Sequence, residues 1–213
     1  MPESKKSNNK AEGSVTTEPM VTSVSAQDIT AKKLVVCAYP GTGDQLAKVW
    51  EKMAGEDPFI LTVDKDRDIL DIIAEVIAAT EIDGDFILVP ANCIPCAPIS
   101  LSELAGPFVF VDINGRRHFN NRLPIPMSKD KLVDALVSSE GINGEAFLEA
   151  YFKRNLHRPI EGGFRFGNLV TPVLRADPCE NLVIEAFVRK KFVTATPEGY
   201  KAISHLVDQY LLG

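Results

Sequence analysis

The fold of this chain is decided by the stretch from 34 to 39, Leu34-Val35-Val36-Cys37-Ala38-Tyr39, which is a short, continuous apolar run. Such a run is typical of a β-strand that is buried on both faces. Two similar runs follow at 59–63 and 86–89. The three runs therefore predict three buried strands of one sheet.

Helical patterns lie between these strands. Asp44 is the predicted N-cap of a helix that ends near Gly55. Isoleucine and valine residues at helical spacing indicate a second, amphipathic helix over 69–80. Strands and helices that alternate in this way favour right-handed crossovers, and hence an α/β fold with a mostly parallel central sheet and flanking helices.

The second half of the chain carries mostly local signals. Ser100 and Glu103 form a capping-box pattern that opens a short helix. A hairpin is predicted over 108–119, around the dipeptide Asn114-Gly115. Further helices are predicted over 128–137 and 144–153. A closing helix begins at Thr196, with Pro197 at its first position.

Residues 1–33 differ from the rest of the chain. They are rich in Ser, Thr, Lys, Asn and Glu, and they contain no aromatic residue. A segment of this composition buries too little apolar surface to offset the entropy of ordering it. We therefore predict a flexible polar tail over 1–33 and a single α/β domain over 34–213. The tail is interpreted as a docking arm that binds other protein subunits.

The charge of the chain restricts its partners. The net charge is −6, and it is carried by the domain rather than by the lysine-containing tail. A domain of this sign repels phosphate backbones, which argues against a nucleic-acid partner. No segment has the eighteen or so apolar residues that span a bilayer, and the N-terminus lacks the apolar region of a secretory signal. We expect no membrane partner, cytoplasmic synthesis and no secretion.

Cys93 and Cys96 form a C-x-x-C motif, which is a redox candidate. Redox motifs of this kind use a helix N-terminus to lower the pKa of one thiol. Here Pro98 and the predicted cap at Ser100 place the helix after both cysteines. The sequence therefore predicts ordinary thiols, with a pKa of about 8.5, and redox chemistry is a third alternative.

The acids at 64, 66 and 68 alternate in a pattern that resembles a calcium loop. The sixth position of that loop must be glycine, but here it is Ile69. Acids that precede a helix also stabilise its N-terminal dipole. We therefore predict that these acids cap the second helix, and we predict no metal site.

Ligands in open α/β sheets bind where parallel strands end. Tyr39 and Asp44 follow the first strand, and Asn92 follows the third. Arg116 and Arg117 belong to a compact basic cluster that could hold an anionic group. These five residues are the candidate ligand-binding set.

The order of residues from 85 onward resembles a known family. The segments 85–92, 98–104, 115–117 and 121–124 are similar to the central part of GT-A-type glycosyltransferases of the Stealth-like kind. The resemblance covers about 34–155. Such proteins occur in bacterial polysaccharide loci and in phages. The resemblance implies a nucleotide-diphospho-sugar transferase-like fold.

The resemblance also implies a metal site that this sequence lacks. In the family, the third strand ends in an acidic pair that binds the metal bridging the sugar nucleotide's diphosphate. The corresponding residues here are Val89-Pro90-Ala91-Asn92. The resemblance thus implies a degenerate member, with no cofactor and no catalytic residues that can be assigned.

Two functions follow as expectations. The first is a non-enzymatic structural or adaptor component of a larger assembly, such as a phage virion. The alternative is an active glycosyltransferase that binds a sugar nucleotide in an unusual, metal-independent site.

Overall fold

The structure is a computed structural model, and part of the chain can be described from it. The described residues are 33–91, 93–104, 109–111, 117–119, 123–137, 143–144, 146–148, 151 and 173–213. The predicted docking arm, apart from Lys33, lies outside these residues.

Eight strands and six helices are assigned among the described residues. The strands are β1 (Lys33–Ala38), β2 (Phe59–Thr62), β3 (Asp85–Val89), β4 (Cys93–Pro95), β5 (Val109–Val111), β6 (Arg117–Phe119), β7 (Ile125–Ser128) and β8 (Phe192–Thr194). The helices are α1 (Gly43–Ala54), α2 (Ile69–Ala78), α3 (Leu101–Leu104), α4 (Lys129–Val137), α5 (Glu180–Arg189) and α6 (Pro197–Val207), and a π-helical turn (Asp208–Leu212) continues α6. Positions 144, 146–148 and 151 are also helical.

The central sheet has four strands in the order β2-β1-β3-β7. The strands β1, β2 and β3 are parallel, with Val35 opposite Phe59 and Lys33 opposite Phe86. The fourth strand, β7, runs antiparallel to β3, with Leu88 opposite Ile125. The structure is therefore mixed α/β with a small mixed sheet and flanking helices.

Different helices cover the two faces of this sheet, because side chains along a strand alternate between faces. Leu34, Val36 and Ala38 pack with α1, α5 and α6, and Trp50 stacks against Phe192 at a centroid distance of 6.3 Å. The intervening residues of β1 pack with α2, α4 and the helical residues 147, 148 and 151. The continuous apolar run at 34–38 is thus explained by burial on both faces.

Two small antiparallel pairs lie outside the central sheet. The strands β5 and β6 pair antiparallel, as the predicted hairpin requires, and its turn at Asn114-Gly115 lies outside the described residues. The pair β4–β8 places Cys93 opposite Thr194, and Leu174 forms an isolated parallel bridge with Ala195. Cys93 therefore lies in a strand.

The helix ends confirm most of the predicted caps. The Thr196 side chain accepts a hydrogen bond from the Gly199 amide, with Pro197 at the first helical position. The predicted N-cap at Asp44 is wrong, because Thr42 occupies the cap position and Asp44 lies inside the first turn of α1. In that position the negative charge of Asp44 still interacts favourably with the positive N-terminal end of the helix dipole.

Candidate functional site

A cavity of about 320 Å³ lies at the carboxyl ends of the parallel strands. The chain runs from β1 through α1 to β2, which is the neighbour of β1 on one side. It then crosses through α2 to β3, which is the neighbour of β1 on the other side. The loops that follow β1 and β3 therefore diverge, which opens a crevice at this edge of the sheet. The cavity occupies this edge, on the face that α2 covers.

The inner wall of the cavity is apolar. It is formed by buried side chains from four elements and from the end of a fifth, β2, namely Cys37, Val63, Ile72, Leu88 and Ile125. Burial raises the pKa of the Cys37 thiol from its ordinary value of 9.0 to about 12. The thiol is therefore neutral at physiological pH, and the inner wall carries no charge.

The mouth of the cavity is polar. Tyr39 follows β1, and Asp64, Lys65 and Arg67 belong to the loop after β2. This loop makes a tight turn, in which the Arg67 amide donates to the Asp64 carbonyl at 3.2 Å. The turn brings acidic and basic side chains to the same opening.

Both cations at the mouth are paired with carboxylates. The Arg67 guanidinium donates to the Glu75 carboxylate, one of the charges on α2. Lys65 Nζ lies 3.7 Å from Glu198 Oε1, in the first turn of α6. The loop after β2 is thereby connected to two helices.

Tyr39 remains a neutral hydroxyl. Burial raises the pKa of its phenol, and the neighbouring Glu198 carboxylate and the Cys37 side chain add smaller contributions in the same direction. A neutral phenol both donates and accepts a hydrogen bond. Tyr39 can therefore interact with either a donor or an acceptor group of a ligand.

The predicted capping role of the acids after β2 is confirmed for Asp68. Its Oδ1 accepts a hydrogen bond from the Leu70 amide at 2.7 Å, at the N-terminus of α2. Across the described part of the chain, no group of three His, Cys, Asp or Glu residues is arranged to hold a metal ion.

The structure brings one of the five candidate ligand-binding residues to the cavity. Tyr39 lines the mouth, whereas Asp44 is exposed on α1 and is not part of the cavity wall. Asn92 and Arg116 lie outside the described residues. Arg117 is described only through its backbone, in β6.

The sequence patterns did not identify the charged residues at the mouth as part of a cavity. Lys65 and Arg67 lie between the acids that were interpreted as helix caps. Glu198 was part of the closing helix, and no local pattern connects it with Lys65. The one signal in the sequence that could have indicated these residues is the run of alternating charges at 64–68, which directly follows β2.

Neither cysteine of the C-x-x-C motif lies in a helix. Cys93 is buried in β4, and Cys96 follows that strand, with its amide donating to the Lys191 carbonyl at 2.8 Å. Burial raises the pKa of Cys93 well above its ordinary value and that of Cys96 to about 12. Both values exceed the ordinary thiol pKa expected from the sequence.

The start of the next helix explains why the motif lacks an activating dipole. The helix α3 begins at Leu101, after the capping box in which the Ser100 amide donates to Glu103 at 3.0 Å. The predicted placement of this helix after the cysteines is confirmed.

No helix within the described ranges has the length and apolar character needed to cross a membrane. No protein-family model matches the chain, and no curated protein sequence matches it.

Proposed function

We propose that this chain is a non-enzymatic structural or adaptor component of a larger assembly, built on a degenerate GT-A-like domain. The observation that carries the proposal is the charge arrangement at the carboxyl-edge cavity. The strand β3 continues into Pro90 and Ala91, and both cations at the mouth are paired with carboxylates.

The end of β3 bears on metal-dependent sugar transfer. A divalent metal bound by carboxylates neutralises the charge that develops on a diphosphate leaving group. Pro90 and Ala91 line the cavity, and their side chains offer no ligand atom. In the resemblance to the glycosyltransferases, the end of this strand corresponds to the acidic pair that binds the metal. This favours a domain that has lost the usual transfer chemistry.

The mouth also bears on metal-independent binding of a diphosphate. Lys65 and Arg67 could bind phosphate, and exposed ion pairs contribute only about 0–1 kcal/mol each. A phosphate could therefore displace Glu75 and Glu198 from the two cations at a small cost in free energy, but the two carboxylates would remain near the mouth. Together with Asp64, they leave three carboxylates against two cations. A diphosphate would meet a net negative opening.

One observation favours a second candidate, a metal-independent glycosyltransferase. Lys65 and Arg67 stand at the same mouth as Tyr39, and cations of this kind can take the place of a metal. The two functions differ in whether a sugar nucleotide binds.

Thermal unfolding with a panel of sugar nucleotides, with and without Mn²⁺, separates the two functions. Ligand at a hundred times its Kd would stabilise the protein by about 2.7 kcal/mol. We expect no saturable shift. A saturable shift that Lys65→Ala together with Arg67→Ala abolishes, and that Lys48→Ala on α1 preserves, would overturn the adaptor proposal.

The positive test of the adaptor role concerns residues 1–33. Their composition suits an arm that orders on a partner surface, where its ordering entropy is lost only on assembly. We expect that deletion of residues 1–30 leaves the melting temperature nearly unchanged and prevents incorporation into the native assembly, measured by mass spectrometry of purified particles. Incorporation of the truncated chain at the full-length level would contradict the docking-arm role.

A further inference from the structure

We propose that the cavity at the carboxyl edge of the sheet binds a small organic cation, an amine with an apolar body. This inference goes beyond the adaptor role, because that role requires no ligand in the cavity, whereas here the cavity is assigned a class of ligand. It rests on the charges at the mouth, the chemistry of the inner wall and the volume.

The first step is the charge that remains at the mouth. The positive charges of Lys65 and Arg67 are matched by Glu198 and Glu75. The carboxylate of Asp64 has no hydrogen bond or ion pair with any residue that the structure describes. The mouth therefore presents one unmatched negative charge to an incoming ligand.

The second step is the inner wall. Val63, Ile72, Leu88 and Ile125 supply aliphatic surface, and Cys37 adds a neutral thiol. An alkyl or aryl group gains free energy by leaving water for such a wall. The ligand body is therefore apolar, and its charged group remains at the opening.

The third step is Tyr39, which stands at the same opening as Asp64. A tyrosine ring attracts a cation through its quadrupole, and the neutral hydroxyl accepts a hydrogen bond from an ammonium group. A carboxylate or phosphate ligand would lack the first interaction and would be repelled by Asp64. The two mouth residues thus select for positive charge.

The volume supports a small molecule. At about 320 Å³ the cavity is at the lower end of the range for small-molecule sites, which is about 300–1,000 Å³. A compact amine with an alkyl or aryl body fits this range.

Three probes with the same six-carbon body test the proposal, namely hexylamine, hexanol and hexanoate at pH 7. Binding to the full chain is followed by amide chemical shifts in titrations of the three probes. We expect saturation by hexylamine with shifts around Tyr39 and Asp64, at least tenfold weaker binding of hexanol, and no saturation by hexanoate.

Matched variants identify the charge that is responsible. Asp64→Asn should weaken hexylamine at least tenfold and leave hexanol unchanged. Asp66→Asn is the control, because Asp66 is exposed in the same turn but does not line the cavity. The spectrum of each variant without probe reports whether its fold is intact.

Three results would overturn the proposal. The first is that hexylamine shows no saturable binding. The second is that hexanol or hexanoate binds as tightly as hexylamine. The third is that Asp64→Asn and the unmodified chain bind hexylamine with equal affinity. The adaptor role fails on different measurements, namely sugar-nucleotide binding or arm-independent incorporation. Failure of one proposal is therefore distinguishable from failure of the other.

Discussion

Gly199 packs directly against the backbone of Leu174. A Cβ atom at Gly199 would lie 2.2 Å from the Leu174 carbonyl oxygen. The same carbonyl accepts a hydrogen bond from the Thr196 amide at 2.8 Å, and the Leu174 amide donates to Thr194 at 2.8 Å. The contact therefore positions the start of α6, and with it the Glu198 carboxylate at the mouth of the cavity.

We expect Gly199→Ala to lower the free energy of unfolding by about 3 kcal/mol, because the methyl group would force backbone apart rather than a flexible side chain. Urea unfolding measures the loss. The control is Gly55→Ala, since Gly55 has a φ of 73° and no neighbour within 4 Å of its added Cβ. That change should cost only about 1–2 kcal/mol, the strain of a left-handed backbone. Equal losses in both variants would contradict the steric explanation.

Lys129 holds the chain at the end of α2. Its Nζ donates to the carbonyls of Ala79 at 3.0 Å and Ile82 at 2.7 Å. We expect Lys129→Met to lower the free energy of unfolding by about 2 kcal/mol, because two carbonyls lose a charged donor. Lys131→Met, in the same helix, should change stability by less than about 0.5 kcal/mol. If chemical denaturation gave the same small change for both variants, the interaction with the α2 end would contribute nothing.

The four cysteines should differ in their reactivity. Cys37 and Cys93 are buried and Cys96 is half-buried, whereas Cys179 is exposed. A thiol must ionise to react, and burial raises the pKa of the first three. At pH 8 we expect iodoacetamide to modify Cys179 first in the native protein and all four after denaturation, as read by peptide mass spectrometry. Rapid native modification of Cys93 or Cys96 would revive the redox hypothesis.

Stability should fall in alkaline solution, in part because of Cys37. Its pKa is raised from 9.0 to about 12 in the folded state, so between these pH values the unfolded chain loses a proton that the folded chain keeps. Stability therefore decreases as pH rises, by about 1.4 kcal/mol per pH unit for one such thiol.

Cys37→Ala should make this slope less steep by that amount. The measurement is urea unfolding at several pH values between 9 and 11. Val36→Ala, a buried change on the same strand, should lower stability at every pH and leave the slope as it is. An unchanged slope in Cys37→Ala would show that this thiol ionises equally in both states.

The sequence by itself determined the α/β class and the elements with local signals. The apolar runs of β1 and β3 are buried on both faces, as strands inside a sheet between helices are. The run of β2 correctly predicted a strand, but β2 lies at the edge of the sheet and is only partly buried. The caps at Ser100 and Thr196 and the hairpin of β5 and β6 depend on residues a few positions apart. These patterns can be recognised in the sequence because the residues that make each hydrogen bond, or that are buried together, lie within one short segment.

Only the tertiary structure decided the short strands and the cavity. The strands β4 and β7 contain Pro95 and Pro126, which weaken a strand pattern, and they form because β8 and β3 supply partners distant in sequence. Tyr39 was a candidate ligand residue because of its position after β1. That it lies at the same opening as Lys65, and near Glu198, depends on how α6 packs against the rest of the domain. Pairing between residues far apart in the chain follows from topology, and no periodicity or spacing within one segment encodes it.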